Sequence, residues 1–318
     1  MKLKNIAPLF VVACLSSCSS TSNVGESKVF CFDTVVDIKL YNADSSQLKE
    51  VENIVNRIDK LTDNFKERDV TNVYSINQSN SDYQIDPELY DLLYRSVSVS
   101  GGGANYFNPL AGSLINRWKE ALKSSQILDE ATILSEVSKI QNSSISFKDN
   151  YIVSRNGEAL VDLGGIAKGY ALDRIKTYLE SVGLKQYLIN AGSSSILLGE
   201  KDSHDHLFSV GIKDLDNTYL KLNNCFVSTS GISSQGVEIN GVMYSHIINP
   251  YTGSAINNYD AVVVISNNGA FGDALSTSMM NNTLEEIRQI ENDHKVQTIV
   301  IKDKKIVYKH YALEVFKH

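Results

Sequence analysis

Short β-rich runs joined by tight turns fill the second half of the chain and restrict the folds open to it. Residues 237–239 and 242–248 flank Asn240-Gly241, a dipeptide typical of two-residue β-hairpins. Hairpins join antiparallel neighbours, so this half predicts antiparallel or mixed sheets. Further runs of strand composition occupy residues 186–190, 196–198, 208–213, 219–222, 225–228 and 261–265, and a last hairpin spans 296–308.

Segments with helical spacing of apolar residues accompany these strands. Leu48, Val51, Val55, Ile58 and Leu61 recur on one face and mark a first helix. Because helices and antiparallel hairpins are mixed along the chain, we predict an α+β fold of mixed or antiparallel sheets with flanking helices. Other predicted helices start at Asp86-Pro87-Glu88 and Gly165 or cover 129–140, 272–280 and 284–290, with strands at 30–41 and two within 144–161.

The N-terminus has the features of an export signal. Lys2 and Lys4 precede a short apolar run over residues 6–15, and Leu15-Ser16-Ser17-Cys18 resembles the lipobox of bacterial lipoproteins. We predict a lipoprotein signal peptide over 1–17, with Cys18 acylated. A plain signal peptide with an incidental cysteine is the alternative, and Cys14 is a weaker lipidation candidate.

The rest of the chain follows from that assignment. We predict a flexible tether over 18–28 and a single domain over 29–318. The protein would be lipid-anchored to the bacterial cell membrane and face outside the cytoplasm, in the periplasm or at the extracellular surface. A formal net charge of -7 argues against a nucleic-acid partner. Cys31 and Cys225 are expected as free, buried thiols.

The segment 162–169, DLGGIAKG, places two glycines and a lysine at the start of a predicted helix. Free backbone N–H groups at such a start, together with Lys168, suit a phosphate. The spacing is neither that of a P-loop nor that of a dinucleotide fingerprint. A tight strand-to-helix turn with a solvated Lys168 is the alternative.

Asp273 and Thr277 lie four residues apart near the start of a predicted helix and therefore share one helix face. A carboxylate and a hydroxyl are hard oxygen ligands that suit Mg²⁺. A capping aspartate, with a threonine bonded back to its own helix, is the commoner arrangement.

His246 lies at the end of the predicted strand 242–248, before Asn249-Pro250. A histidine at such a position can act as a general base near neutral pH. It also alternates in phase with Val242, Tyr244 and Ile248, which fits a half-buried structural histidine.

Taken in order, these motifs resemble the ApbE family of flavin transferases. The family shows D-L-G-G-x-A-K-G, T-S-G, H-x-I-[DN]-P-x-T-G and D-A-L-S-T segments. The resemblance covers roughly residues 30–310. The matching segments here are 162–169, Thr229-Ser230-Gly231, 246–253 and 273–277, with weaker echoes at Phe32-Asp33-Thr34, Phe65, 104–109 and Asn116-Arg117-Trp118.

The resemblance implies an ApbE-like, T-fold-like architecture and transfer of FMN from FAD to a Thr or Ser hydroxyl, with release of AMP. The acceptor would be an exported or membrane redox flavoprotein, FAD the substrate and Mg²⁺ the cofactor. A Mg²⁺-dependent FAD pyrophosphatase and a non-catalytic flavin-binding lipoprotein are the alternatives. It implies His246 as base, Asp162, Lys168, Ile247, Phe32, Phe65, Tyr106, Phe107 and Asn108 as flavin-nucleotide contacts, and Asp273, Thr277 and the Gly165 carbonyl as metal ligands.

Three positions depart from the family pattern. Asp33 and Ser193 stand where the family prefers glycine, and Asn108 replaces an aspartate. Glycine tolerates a positive φ that a serine adopts only with strain. We therefore expect a reshaped flavin pocket, while the metal, lysine and histidine positions are kept.

Overall fold

A computed structural model describes residues 24–201, 207–233 and 235–317. Antiparallel strands and helices are interspersed along the chain, which confirms the α+β prediction. The elements are β1 (Val24–Cys31), β2 (Thr34–Tyr41), α1 (Ser45–Thr62), α2 (Val73–Gln78), β3 (Asp82–Gln84), α3 (Pro87–Gly101), α4 (Gly112–Lys123), α5 (Glu130–Gln141), β4 (Ser144–Lys148), β5 (Ile152–Asn156), α6 (Ala167–Ser181), β6 (Tyr187–Ala191), β7 (Ser195–Leu198), β8 (Phe208–Gly211), β9 (Thr218–Leu222), β10 (Cys225–Gly231), β11 (Val237–Ile239), β12 (Val242–Tyr244), β13 (Ala261–Ser266), α7 (Gly269–Met279), α8 (Leu284–His294), β14 (Gln297–Lys302), β15 (Lys305–Lys309) and β16 (Val315–Lys317).

One large sheet organises the fold. Among the described residues it has eight strands in the order β1-β2-β6-β7-β10-β13-β14-β15, all paired antiparallel. The order is sequential except that the chain leaves the sheet for long insertions, of which 42–186 is the longest. Smaller sheets are β3-β5-β4, β16-β9-β8 and the hairpin β11-β12.

Both faces of the large sheet are covered. In β13, Val262 and Val264 join the core that includes α7, while Val263 and Ile265 join a second core against β8 and β9. Toward the β1 end, α1 and α6 supply Val51, Ile175 and their neighbours to a third apolar cluster. Because β13 is buried on both faces, its sequence is apolar from residue 261 to residue 265, and only Ser266 at its end is polar.

Helix α1 was predicted well because its N-terminal cap and its buried face are both local features of the sequence. Asp44 accepts N–H bonds from Ser46 and Gln47, and the Gln47 side chain returns to the Asp44 N–H, which forms a capping box. Val51, Val55, Ile58 and Leu61 are its buried residues, as the helical spacing predicts. The starts predicted at Asp86-Pro87 and near Asp129 are also confirmed.

The N-terminal predictions need two corrections. Residues 30–41 form parts of two strands rather than one, because Phe32 and Asp33 both adopt positive φ, at 54° and 55°, and reverse the chain. Residues 24–28 belong to β1, so the tether predicted over 18–28 is wrong for that part. Cys14, Cys18, the signal peptide and residues 18–23 lie outside the described residues.

Other boundaries differ in ways that affect the site. Helix α7 starts at Gly269, three residues before the predicted start, because Asn268 caps it through the Phe271 N–H. Strand β12 ends at Tyr244, so His246 lies in the following loop rather than in a strand. Helices α2 and α4 and strands β3 and β16 were not predicted.

Two further observations concern the cysteines and the membrane. Cys31 and Cys225 are free and buried, as predicted. They belong to different apolar clusters, on opposite faces of the large sheet. Within the described residues, every helix is too short or too polar to traverse a bilayer.

Candidate active site

The centre of the site is built where α6 and α7 cross. A Cβ placed on Gly169 would lie 2.0 Å from the carbonyl oxygen of Gly269, so the two helices meet through glycine backbones. Asp173 on α6 accepts N–H bonds from Gly269 at 2.7 Å and Ala270 at 2.9 Å, at the first turn of α7. This contact fixes the register of the two helices that carry the predicted phosphate and metal residues.

Asp273 lies inside this crossing and is only 4% exposed. Its carboxylate accepts hydrogen bonds from the Gly169 N–H and the Ser195 hydroxyl, each at 3.0 Å. It forms no ion pair with any described residue. A buried carboxylate with only neutral donors leaves its negative charge uncompensated, which favours a bound cation.

Thr277 and Gly165 stand beside this carboxylate. Thr277 lies one turn beyond Asp273 on α7, and a Cβ placed on Gly165 would lie 3.2 Å from Thr277 Oγ1. The Gly169 N–H, which in a regular helix would bond the Gly165 carbonyl, donates to Asp273 instead. The Gly165 carbonyl accepts no hydrogen bond from the described residues and stays available to a ligand.

The structure therefore brings the three predicted metal ligands together. Ser230 also reaches this set, with its Oγ 3.2 Å from Thr277 Oγ1 and 2.9 Å from Ser276 Oγ. No cluster of three or more His, Cys, Asp or Glu side chains suited to a metal occurs in the described ranges. One carboxylate with hydroxyl and carbonyl oxygens fits a hard cation such as Mg²⁺, which usually keeps several waters.

Asp162 shapes the turn that leads into α6. Its carboxylate accepts from the Gly164 N–H at 2.7 Å and from Asn64 Nδ2 at 2.9 Å. Lys168 is half-buried on the first turn of α6, with its Nζ 3.4 Å from the Gly164 carbonyl oxygen. Because Lys168 has no carboxylate partner among the described residues, its charge is free to meet an anion.

His246 is half-buried, and its buried Nδ1 has no hydrogen-bond partner within the described structure. Burial lowers the pKa of His246 to about 4, helped by the positive charges of Lys119, Lys168 and Lys213 and opposed by Asp162. The imidazole is therefore neutral at neutral pH and can accept a proton. Asp162 and Lys168 are thus among the charged groups that act on His246.

A hydrogen-bonded loop holds His246 in place. Ser245 and Asn257 bond to each other, and Asn257 Nδ2 donates to the Ile247 carbonyl at 3.1 Å. Farther along, Trp118 Nε1 donates to the Gly253 carbonyl at 2.8 Å. The Ile247 side chain is buried in the core, and its N–H donates to Ser245 Oγ. Neither the side chain nor the N–H of Ile247 is therefore presented to a nucleotide.

The predicted aromatic contacts divide into two groups. Phe107 is buried, and a Cβ on Gly165 would lie 3.2 Å from its ring. The Tyr106 N–H donates to Ser278 Oγ at 3.0 Å, which ties this segment to α7. Phe65 is 62% exposed and has Lys119 Nζ 5.9 Å from its ring centroid.

Phe32 and the three departures are also placed. The Phe32 N–H donates to Asp59 at 2.6 Å within the β1–β2 turn. Asn108 Oδ1 accepts from the Leu110 N–H at 2.9 Å and shapes its own turn. Ser193 adopts φ of 62° with its N–H on Asn190 Oδ1, so the strained geometry expected there is present.

Sequence reasoning missed several residues of this site. Asn64 holds Asp162 and Ser195 holds Asp273, yet a lone asparagine or serine carries no spacing signal. Ser230 belongs to the T-S-G segment but was given no role. Lys119 follows Trp118 in the N-x-W segment, and that adjacency was the only available signal.

Comparison with known proteins agrees with this geometry. The model of the ApbE family matches residues 32–300. An FAD:protein FMN transferase of Rhodobacter capsulatus is 28% identical over 62% of this chain but only 39% of its own length. One from Vibrio cholerae is 23% identical over 86% of this chain and 85% of its own.

Solved structures share the fold. The crystal structure of the ApbE protein of Thermotoga maritima aligns with a TM-score of 0.78 at 22% identity, over 91% of this chain and 97% of that chain. The flavin transferase ApbE of Vibrio cholerae aligns with a TM-score of 0.73 at 19% identity, over 93% and 97%. Because the family model covers most of the chain and the solved folds match, this chain belongs to the ApbE family.

Proposed function

We propose that this chain is an FAD:protein FMN transferase that uses Mg²⁺ to move FMN from FAD to a Thr or Ser hydroxyl. The observation that carries the proposal is Asp273, a buried carboxylate without a counter-charge beside Thr277 and a free Gly165 carbonyl. The relatives named FAD:protein FMN transferase supply the reaction.

In the proposed mechanism the residues position an in-line displacement at phosphorus. His246, neutral because of its low pKa, accepts the proton of the acceptor hydroxyl. The hydroxyl oxygen forms a bond to the FMN phosphorus, the pyrophosphate bond breaks, and AMP leaves with the bridging oxygen. Lys168 binds the phosphates and lowers the cost of the developing charge, while the Gly164 N–H stays bonded to Asp162.

Asp273, Thr277 and the Gly165 carbonyl would hold the Mg²⁺ ion. When bound, the ion supplies charge neutralisation at the phosphates. Phe107 packs beside Gly165 and leaves no room for a side chain there.

The test is incubation of the protein with FAD, Mg²⁺ and a candidate acceptor, followed by intact-mass analysis. We expect the acceptor to gain FMN less one water while AMP is released. His246→Ala should lower the rate about a hundred-fold or more. Free FMN and AMP without an adduct would instead make the protein a pyrophosphatase, and intact FAD would make it a binding protein.

We also propose that the protein is anchored through a lipid on Cys18 and acts on exported or membrane redox flavoproteins. The Leu15-Ser16-Ser17-Cys18 sequence supports this proposal. Labelled palmitate should enter the wild type and not Cys18→Ala, which should leave the membrane fraction. Equal membrane retention of the two proteins would contradict it.

A further inference from the structure

Lys119 lies on α4, directly after the Asn116-Arg117-Trp118 segment, and none of the family motifs includes it. The preceding residue, Trp118, donates to the Gly253 carbonyl at 2.8 Å and stacks on Tyr244 with ring centroids 5.8 Å apart. Tyr244 and Gly253 bracket the loop that carries His246. The packing of Trp118 therefore fixes α4, and with it Lys119, against this loop.

No carboxylate pairs with Lys119 among the described residues. Its side chain is half-buried, and it forms no ion pair or hydrogen bond with a described residue. Its one described partner is the exposed ring of Phe65, 5.9 Å from Nζ. A cation–π contact of this kind is weak at an exposed site, so the ammonium group can be recruited by a stronger partner.

The positive charge of Lys119 acts on His246, which indicates what Lys119 can bind. Lys119 is the largest of the charge effects on the histidine, ahead of Lys168. In a chain of net charge -7, three lysines without carboxylate partners among the described residues, Lys119, Lys168 and Lys213, act on one histidine, and Asp162 opposes them. Such a convergence is expected where an anion binds and is otherwise unfavourable, because like charges repel.

We propose that Lys119 binds the phosphate oxygens of FAD from α4, together with Lys168 from α6. This inference rests on the proposed function and extends it, because it adds a specificity residue for the nucleotide. Phe65 holds the lysine side chain near the site until the phosphates arrive. Lys119 then exchanges the ring for a charge-assisted hydrogen bond.

The experiment compares Lys119→Met, Lys119→Arg and the matched control Lys123→Met. Lys123 lies one turn further on α4, is exposed and has no contact with the site. FAD binding is measured by flavin fluorescence with Mg²⁺ and without an acceptor. We expect the Kd for FAD to rise about ten-fold in Lys119→Met, to stay near the wild-type value in Lys119→Arg, and to be unchanged in the control.

Riboflavin, which has the same ring system and no phosphate, separates the two possible contacts. Its affinity should be equal in wild type and Lys119→Met. If riboflavin binding weakens as much as FAD binding, Lys119 acts through the Phe65 ring, and the inference is wrong. An unchanged Kd for FAD, or a change only in the KM for the acceptor, would also overturn it.

Failure of the inference is distinguishable from failure of the proposed function. If wild type transfers FMN and Lys119→Met binds FAD normally, only the inference fails. If wild type binds FAD but forms no adduct with any acceptor, the function fails while the Kd comparison still tests Lys119. Thermal melting of each variant confirms that it is folded.

Discussion

At the scale of single residues, two groups of the site differ in the charges around them. His246 has a buried ring nitrogen without a partner and several positive charges nearby, which favour its neutral form. Asp273 is a buried carboxylate with two neutral donors and no cation. A histidine kept neutral and a carboxylate awaiting a counter-charge suit proton acceptance and metal binding respectively.

The low pKa of His246 predicts the pH dependence of transfer. Because the folded-state pKa is about 4 rather than 6.5, the base is available down to about pH 4. We expect the acid limb of kcat/KM for FMN transfer to fall near pH 4. A limb near 6.5 would contradict the lowered pKa, and His246→Gln should lack the limb altogether.

The lowered pKa of His246 also determines how the free energy of unfolding changes with pH. In the unfolded state His246 has a pKa of 6.5, whereas in the folded state its pKa is about 4. Between these pH values the unfolded state binds a proton that the folded state does not. Its contribution to folding is therefore fully present above pH 6.5 and declines as the pH falls from 6.5 toward 4. His246→Gln should weaken this decline in urea titrations across that range.

Replacement of Asp273 tests the metal site. Asp273→Asn keeps an oxygen for the Gly169 N–H but removes the charge, so we expect the Mg²⁺ concentration for half-maximal transfer to rise at least about ten-fold. Without metal the variant should melt at the same or a higher temperature, because an uncompensated buried charge is gone. Equal Mg²⁺ dependence of wild type and variant would contradict the ligand assignment.

At the scale of elements, the contact between α6 and α7 positions the whole centre. The glycines at 169 and 269 let the helix backbones touch, and the freed Gly165 carbonyl follows from that approach. A side chain at either glycine would separate the helices and move Asp273 away from the Gly169 N–H.

Gly169→Ala is the direct test of this crossing. The added methyl would lie 2.0 Å from the Gly269 carbonyl oxygen, so we expect a loss of about 3 kcal/mol in the free energy of unfolding, measured in urea. Gly101→Ala is the matched control, since a Cβ on this helical glycine meets nothing within 4 Å. Equal stability of Gly169→Ala and wild type would show that the helices can move apart freely.

Sequence patterns predicted elements best where local chemistry and burial agree. Helix α1 has a capping box and an apolar stripe and was predicted nearly to its ends. The β1–β2 hairpin was missed because Phe32-Asp33 lacks the glycine of the usual Asn-Gly and Asp-Gly turns. Helix α4 was missed because it begins at Gly112 without a side-chain cap.

The site shows the same division. Asp162, Lys168, His246, Asp273 and Thr277 could be predicted as candidates because they fall in spaced motifs. Ser195, on β7, reaches Asp273 only through tertiary packing. Lys119 comes from α4, which the sequence pattern did not reveal as a helix.

At the scale of the whole molecule, the order of strands could not be derived from the sequence. Hairpin turns fix only neighbours such as β11 and β12, whereas β2 pairs with β6 across residues 42–186. Nothing in β2 or β6 specifies that pairing, because the alternation of buried residues fixes which face a strand turns to the core and not which strand lies beside it.

The large sheet also keeps the two cysteine thiols apart. Cys31 and Cys225 lie in apolar clusters on opposite faces, and burial raises the pKa of each thiol to about 12. We expect both to stay reduced in an oxidising compartment, with the melting temperature unchanged by reductant. Alkylation after denaturation, read by peptide mass, should label both cysteines. A linked Cys31–Cys225 peptide would contradict this arrangement.

The long excursion between β2 and β6 has a consequence for synthesis. At ribosomal speed, roughly 10 s pass between the appearance of β2 and that of its partner. During that interval the apolar residues Val36, Ile38 and Leu40 lack their strand neighbour. Helix α1, which packs on the same cluster and emerges directly after the hairpin, is the available cover. Helix α1 can therefore cover this apolar face before β6 arrives, while the hydrogen-bonding edge of β2 stays open to other strands until then.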